Sequence, residues 1–288
     1  MAKRGLLLNS LLIIFLISGC TSSTQPTFPK EGVAQAIQDI CKNEYKLDVT
    51  TKLVGETLWI YLPVEDILVP NEKPDKYTEK FSIENDRVEF EDALLRVDYS
   101  IKNIPDMEKT QGYKYNKDVI KKIGDVWKVL RRVIFSMEHS KRNEPKFFCL
   151  VTADIKTGIE TQELFYYLDM KKVSYGFISW EEYQHRAISN TNASQDIIGD
   201  KTGSHLLYKD ITMKDFIARQ IQHRIKIKFQ KPEVGKNADI DKEILKVIAY
   251  VMKTYDFEDF DSAELNNLLT SNKIILNQAA VRARSNEQ

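Results

Sequence analysis

The sequence predicts an α+β fold: antiparallel β-hairpins packed with helices, closing in a helical C-terminal part. Three observations predict it. Apolar residues alternate with a period of two in paired stretches joined by short turn-forming segments, and they recur with helical spacing over 116–139 and again toward the C-terminus. The chain is 42% hydrophobic and 29% charged, which suits a chain that folds around a core rather than one that stays disordered. Its 288 residues leave room for one large domain or two small ones.

The chain opens with Lys3 and Arg4, followed by the apolar runs Leu6–Leu8 and Leu11–Ile17, and carries no further charge until Lys30. This run is shorter than the ~20 apolar residues that span ~30 Å of hydrocarbon, and it ends in small residues, as an export signal does. Its last four residues, Ile17-Ser18-Gly19-Cys20, run aliphatic, small, small, cysteine. They resemble the lipobox of bacterial lipoproteins. The resemblance covers these twenty residues only. It implies that residues 1–19 are a signal peptide, and that Cys20 becomes the first residue and carries acyl chains such as palmitate. The protein would then be exported and held to a membrane of the cell envelope. Thr21 stands where an Asp would signal retention in the inner membrane, so the resemblance implies the outer membrane, facing the periplasm, in a host with two. One acyl chain binds a bilayer marginally and two or more bind it stably, so the expected modification suffices as an anchor.

Residues 20–29 read as the lipidated cysteine and a polar tether, and 30–282 as the globular body. Internal boundaries could fall near 103–115 or 189–204, and 283–288 read as a mobile tail. In the body, a helix is expected from Pro29 or Lys30 to about Glu44, with Val33, Ile37, Ile40 and Cys41 on one face. Strands 47–54 and 57–62 turn at Gly55-Glu56. The second is apolar on both faces and so belongs in the middle of a covered sheet. Pro70, Asn71, Pro74 and Asp75 mark a loop. A second hairpin, 80–83 with 87–101, turns near Glu84-Asn85-Asp86, and 103–115 is a polar connection broken by Pro105 and Gly112.

Asn116 caps the strongest helix, which runs to about His139. Its apolar stripe includes Val119, Ile123, Val126, Trp127, Leu130 and Val133, and Lys121, Lys122, Arg131 and Arg132 lie opposite. Packing on a sheet is favoured over lying on a membrane, because strands flank the helix on both sides. A third hairpin, 147–155 with 159–170, crosses Lys156-Thr157-Gly158, so helix–strand–turn–strand occurs twice. Ser179 and Glu182 form a capping box opening a short helix to about Ile188. Residues 189–204 form a polar loop. Thr212 caps a helix that can yield to a strand at 224–229, and two helices, 239–255 and 262–282, end the body.

Without residues 1–19 the 42 basic residues fall by two to 40 against 42 acidic, a formal −2, so no charge excess points to nucleic acid. Two cysteines remain beside Cys20. Cys41 on a helix face and Cys149 in an apolar strand read as separately buried thiols, with a bridge as the alternative in an oxidising compartment.

No motif names a reaction. His139, His185, His205 and His223 have no paired-ligand spacing, and Glu182 with His185 lacks the second such pair a carboxylate-bridged metal bundle needs, so no metal and no cofactor is expected. Residues 199–204, Gly-Asp-Lys-Thr-Gly-Ser, superficially resemble a phosphate loop but lack its first glycine and its feeding strand. The cluster with some interest is Tyr175, Phe177, Trp180 and Tyr183 with Glu181 and Glu182, since aromatic faces beside carboxylates suit sugar rings. The competing reading is that these rings anchor a helix to the core. The leading functional expectation is a lipid-anchored envelope protein that binds or scaffolds, as an accessory subunit beside an envelope protein partner. The alternative is a protein that binds or hydrolyses peptidoglycan through carboxylates near Trp180.

Overall fold

The computed structural model describes residue 28 and residues 32–74, 76–137, 145–230 and 234–284. The leader, Cys20, the start of the first helix and the end of the tail fall outside these residues. The architecture is α+β, as the alternation and helical stripes predict. A five-stranded sheet runs β1–β2–β7–β8–β9, built from β1 (Thr50–Val54), β2 (Thr57–Val64), β7 (Phe147–Asp154), β8 (Ile159–Tyr166) and β9 (Ile188–Ala193). Its hairpins are antiparallel, but β2 and β7 run parallel at the centre, Thr57 opposite Phe147 through Val64 opposite Asp154. Both central strands are almost wholly buried, as their two-sided apolar character requires.

The twofold recurrence of helix–strand–turn–strand takes physical form here. Helices α1 (Val33–Tyr45) and α2 (Lys117–Ser136) cover the same face, packing Val33, Ile37 and Cys41, with Val126, Leu130 and Ile134, onto Leu58, Ile60, Phe148, Leu150 and Phe165. Asn116 caps α2 by accepting from the Asp118 amide. Trp127 is half-buried, its ring 4.5 Å from Phe165 and 6.0 Å from Tyr183, so it packs on the sheet rather than facing a membrane.

Between β2 and α2 the chain makes an excursion: β3 (Leu68–Pro70), β4 (Lys76–Glu91), β5 (Leu94–Thr110) and β6 (Tyr113–Tyr115). The second hairpin is longer than expected, and its turn is at Asp92-Ala93, with Asp92 at φ 55°. The Glu84-Asn85-Asp86 signal is a register shift between Ile83 and Asn85 instead, an inserted residue that the partner strand tolerates. Nor is 103–110 a loop: it continues β5, and Pro105, which cannot donate, falls in the second register shift between Asn103 and Met107.

The other face of the first sheet meets α5 (Met213–Gln230), which lies between the two sheets: Phe216 packs 5.1 Å from Phe147, and Phe229 packs 5.2 Å from Phe81 on β4. The helix runs unbroken through 224–229, where a strand was possible, because Ile221, Ile225 and Phe229 recur every four residues and bury together. Helix α6 (Ile240–Tyr255), capped by Asp239, adds to this layer. The expected helix 262–282 is instead β10 (Ser262–Asn267), β11 (Asn272–Asn277) and the short α7 (Gln278–Ala283). Strand β10 adds parallel to β5, completing a four-stranded sheet β11–β10–β5–β4. Two smaller corrections concern the middle of the chain. Strand β8 ends at Tyr166 and helix α3 (Tyr167–Ser174) takes up 167–170, and the stretch 189–204 holds the edge strand β9 and a short 3₁₀ turn, Gln195–Ile197.

Candidate functional site

The aromatic cluster read from the sequence is split by the fold. Ser179 caps helix α4 (Trp180–Arg186) by accepting from the Glu182 amide, but Glu182 does not reach back to complete the capping box. Its Oε1 accepts from Arg186 Nε at 2.7 Å, Arg224 Nη2 at 2.7 Å and Tyr250 Oη at 2.6 Å. Burial alone would raise its carboxyl, but those donors outweigh it and hold the group ionised below its usual range. Arg186 also pairs with the buried Asp169 at 2.8 Å, which accepts from Tyr255 Oη. Glu182 therefore bolts α4 to α5 and α6, and is not a free acid or base. Tyr183 is buried beneath Trp180, their rings 5.3 Å apart. Tyr175, Phe177, Trp180 and Glu181 are exposed, so four of the six residues share the surface and two belong to the body.

A second site was missed. Along β8, Ile159, Thr161, Glu163 and Phe165 alternate with Glu160, Gln162, Leu164 and Tyr166, and the Phe165 phase faces α2. Register places Glu163 beside Leu150, and Thr161 beside Thr152. Toward the N-terminal end of α2 the layer is open. A cavity of about 210 Å³ remains, with Ile67, Tyr115, Ile120 and Ile123 as apolar walls and Thr152, Thr161 and Glu163 as its polar side. Burial pushes the Glu163 carboxyl above its usual range, and the nearby Trp127 indole opposes that shift only in part. An apolar slot with one carboxyl and two hydroxyls suits a small ligand with one polar end. The sequence did carry a signal, an acid on the buried phase of a strand, but that signal is local and the cavity is not.

Two further features resolve as structure. The stretch 199–204 that resembles a phosphate loop holds its own anion: the Asp200 carboxylate accepts from the amides of Thr202, Gly203 and His205 at 2.9–3.0 Å. His205 then bridges Asp200 at 2.6 Å and Glu160 at 2.9 Å. Burial works against a charged imidazole there, but the two carboxylates prevail and its pKa is raised. A further hollow, about 410 Å³ beside β7, β8, β9 and α5, is lined by Cys149, Gln162, Asn190, Arg219, His223 and Lys226. Burial, with Arg224, His185 and Lys226 adding repulsion, lowers His223 to about 4, so its imidazole is neutral at physiological pH.

Cys41 and Cys149 are free thiols buried on opposite faces of the first sheet. Among the described residues no group of three or more His, Cys, Asp or Glu is placed to hold a metal, and no helix is long and apolar enough to cross a membrane. Against known proteins, this chain matches no family, no curated protein and no solved structure.

Proposed function

We propose that the protein is a lipid-anchored component of a bacterial envelope, exported by residues 1–19, fixed through acyl chains on Cys20, and acting by binding or scaffolding. The observation that carries this reading is the order Lys3/Arg4, uncharged apolar run, Ser18-Gly19, Cys20. Outer-membrane placement, facing the periplasm, follows from Thr21 in a host with two membranes. Two features support a binding role for the body, the exposed rings at 175–180 and the Glu163 cavity. Hydrolysis of peptidoglycan loses one of its proposed carboxylates, since Glu182 is engaged by three donors, though Glu181 and Trp180 stay exposed. Intact mass of the membrane-extracted protein tests the anchor. A chain beginning at Cys20 with acyl mass is expected; a chain beginning elsewhere, or at Cys20 without lipid, overturns it.

A further inference from the structure

Resting on that anchored reading, we propose that the exposed rings Tyr175, Phe177 and Trp180 are a second membrane contact, seating in the head-group region of the bilayer that holds the Cys20 lipid. Three observations meet here. The first is where the body begins. Phe28 is half-buried against the α2 end of the core, donates its amide to the Ser136 carbonyl at 3.2 Å, and forms an isolated bridge with Met137. Seven residues lie between Cys20 and Phe28, and the eight steps from one to the other reach about 29 Å at most when fully extended. The same end of α2 carries the patch: the Phe135 ring lies 5.2 Å from Tyr175, and Tyr175 lies 6.3 Å from Phe177. The anchor is therefore tethered within that reach of the end of α2 that carries the rings.

The second observation is how the rings are presented. Phe177 is 79% exposed, Tyr175 65% and Trp180 62%. They do not sit on a loose loop. Helix α3 ends in a glycine turn in which Gly176 takes φ +76°, the Gly176 amide donates to Val173 and the Phe177 amide donates to Lys172 at 2.8 Å. In this turn the residue after the glycine is usually apolar and folds back onto the helix. Here Phe177 points to solvent instead, between a capped helix end and the capped start of α4, and the Glu182 and Asp169 networks bolt both helices to the body. A rigid turn that holds phenylalanine in water has no use in the fold.

The third is the chemistry of the rim. Lys171 Nζ sits 6.0 Å above the Phe135 ring and 5.4 Å above Tyr167, so cationic and ring groups interleave beside Tyr175. Tryptophan and tyrosine favour the membrane–water boundary, where the ring is dry and the N–H or O–H stays wet, and lysine suits anionic head groups. Three rings alone would bind vesicles weakly. A short tether makes the second contact intramolecular, at an effective concentration in the millimolar range, and a weak contact then becomes an occupied one. The body would stand in one orientation, with the Glu163 cavity and the second sheet held in a fixed relation to the membrane.

Tryptophan emission provides the test, since Trp59 is buried and Trp127 half-buried, leaving Trp180 as the exposed reporter. The full-length lipidated protein is reconstituted in vesicles of phosphatidylethanolamine and phosphatidylglycerol with ordinary or brominated acyl chains. Brominated lipid should quench the wild type, the quenching should vanish in Trp180→Phe, and it should fall several-fold in the double variant Tyr175→Ser, Phe177→Ser. Equal emission in the two vesicles, from protein whose mass shows the lipid on Cys20, overturns the contact and leaves the anchor standing. Mass without lipid overturns both. Capture by purified peptidoglycan that is lost in Trp180→Ala would assign the rings to glycan and overturn the membrane contact as well.

Discussion

The two faces of the five-stranded sheet are built from the same strands and solved differently. Toward α1 and α2 the contacts are mostly apolar: Leu58, Ile60, Phe148, Leu150 and Phe165 meet helix stripes, Thr51 Oγ1 on β1 donates to the Ala34 carbonyl at 2.9 Å, and a second polar group collects at the open Glu163 end. On the opposite face, beside α5, runs an irregular strap, residues 199–211, and there the sheet is studded with hydrogen bonds. Trp59 Nε1 donates to the Lys209 carbonyl at 2.8 Å, Tyr61 Oη to the Asp200 carbonyl at 2.6 Å, and the Ile211 amide to Thr57 Oγ1 at 2.7 Å. Asp210 accepts from the Glu56 amide and from Thr57 Oγ1 at the β1–β2 turn, whose Gly55 has φ +58° and no room for a Cβ against that carboxylate. The difference follows from what does the covering. A helix satisfies its own backbone and asks the sheet only for apolar surface, whereas an irregular segment brings unpaired amides and carbonyls that the sheet must satisfy. Polar residues on a buried strand face mark where irregular chain crosses it.

Substitutions should separate the faces. The largest effect is expected in the dry layer: Phe148→Ala should cost about 3–5 kcal/mol, with no dependence on pH between 5 and 9, in chemical denaturation. A pH-dependent loss there would mean that Phe148 is coupled to Glu163, the buried carboxyl at the open end of the same layer.

The strap should behave otherwise. His205→Ala leaves the Asp200 and Glu160 carboxylates facing each other without their cation, and should cost about 3 kcal/mol near pH 6. The pKa of His205 is raised in the fold, so its contribution is complete below the unfolded value near 6.5 and is lost as pH rises through the folded value. Burial disfavours the Asp200 charge, yet the His205 bonds and loop amides lower its pKa well below the usual range. Its contribution is present above the unfolded value near 3.9 and fades as pH falls through the folded one. The clamp is therefore strongest between about pH 4 and 6.5. Stability curves of wild type and His205→Ala should diverge in that window and converge toward pH 9, and parallel curves would exclude the clamp as the source.

Thr57→Val is milder. It strands the buried Ile211 amide and removes a donor to Asp210, for about 1–3 kcal/mol at every pH. The check is amide exchange at Ile211, which should quicken more than exchange in β7.

This contrast also explains what the sequence showed. The first and third hairpins were legible because alternation and a glycine turn, Gly55 or Gly158, are local signals. The helix at 116–136 was legible for the same reason, through its cap and stripe. Strand β10 was not. Leu265, Leu268 and Leu269 read with helical spacing, but Leu268 and Leu269 stand exposed in a turn, and Ala263 and Leu265 are buried only because β5, about 170 residues earlier in the chain, offers an edge. Arg224-Ile225-Lys226-Ile227 satisfied both periods at once, and burial between two sheets settled it as helix. The ring cluster was half legible: composition brought six residues together, and only the fold separates the exposed rings from the bolted Glu182 and the buried Tyr183. Glu163 was visible as an acid on the phase of Phe165, but the opening beneath α2 that turns it into a site is set by packing.

The smallest effect is expected at the two thiols, and it reports on both faces at once. Cys41 lies in the layer of α1 and α2, and Cys149 lies on β7 facing α5 and the hollow at His223. Burial pushes Cys41 up to about 12 and Cys149 higher still, so neither is a thiolate at neutral pH, and the sheet between them keeps the sulfurs apart. Reductant should leave the melting temperature unchanged, and alkylation of the folded protein should be slow at both sites. The order of labelling is the informative part. Cys41 sits on the first described helix, 13 residues long and outside the sheet, and Cys149 on a central strand paired on both sides. Partial opening exposes peripheral helices before central strands, so Cys41 should label first under mild denaturant, by mass spectrometry of trapped peptides, and Cys149 only in the global transition. If Cys149 labels first, the route in is the hollow beside α5, and the strap face, for all its hydrogen bonds, is the looser of the two.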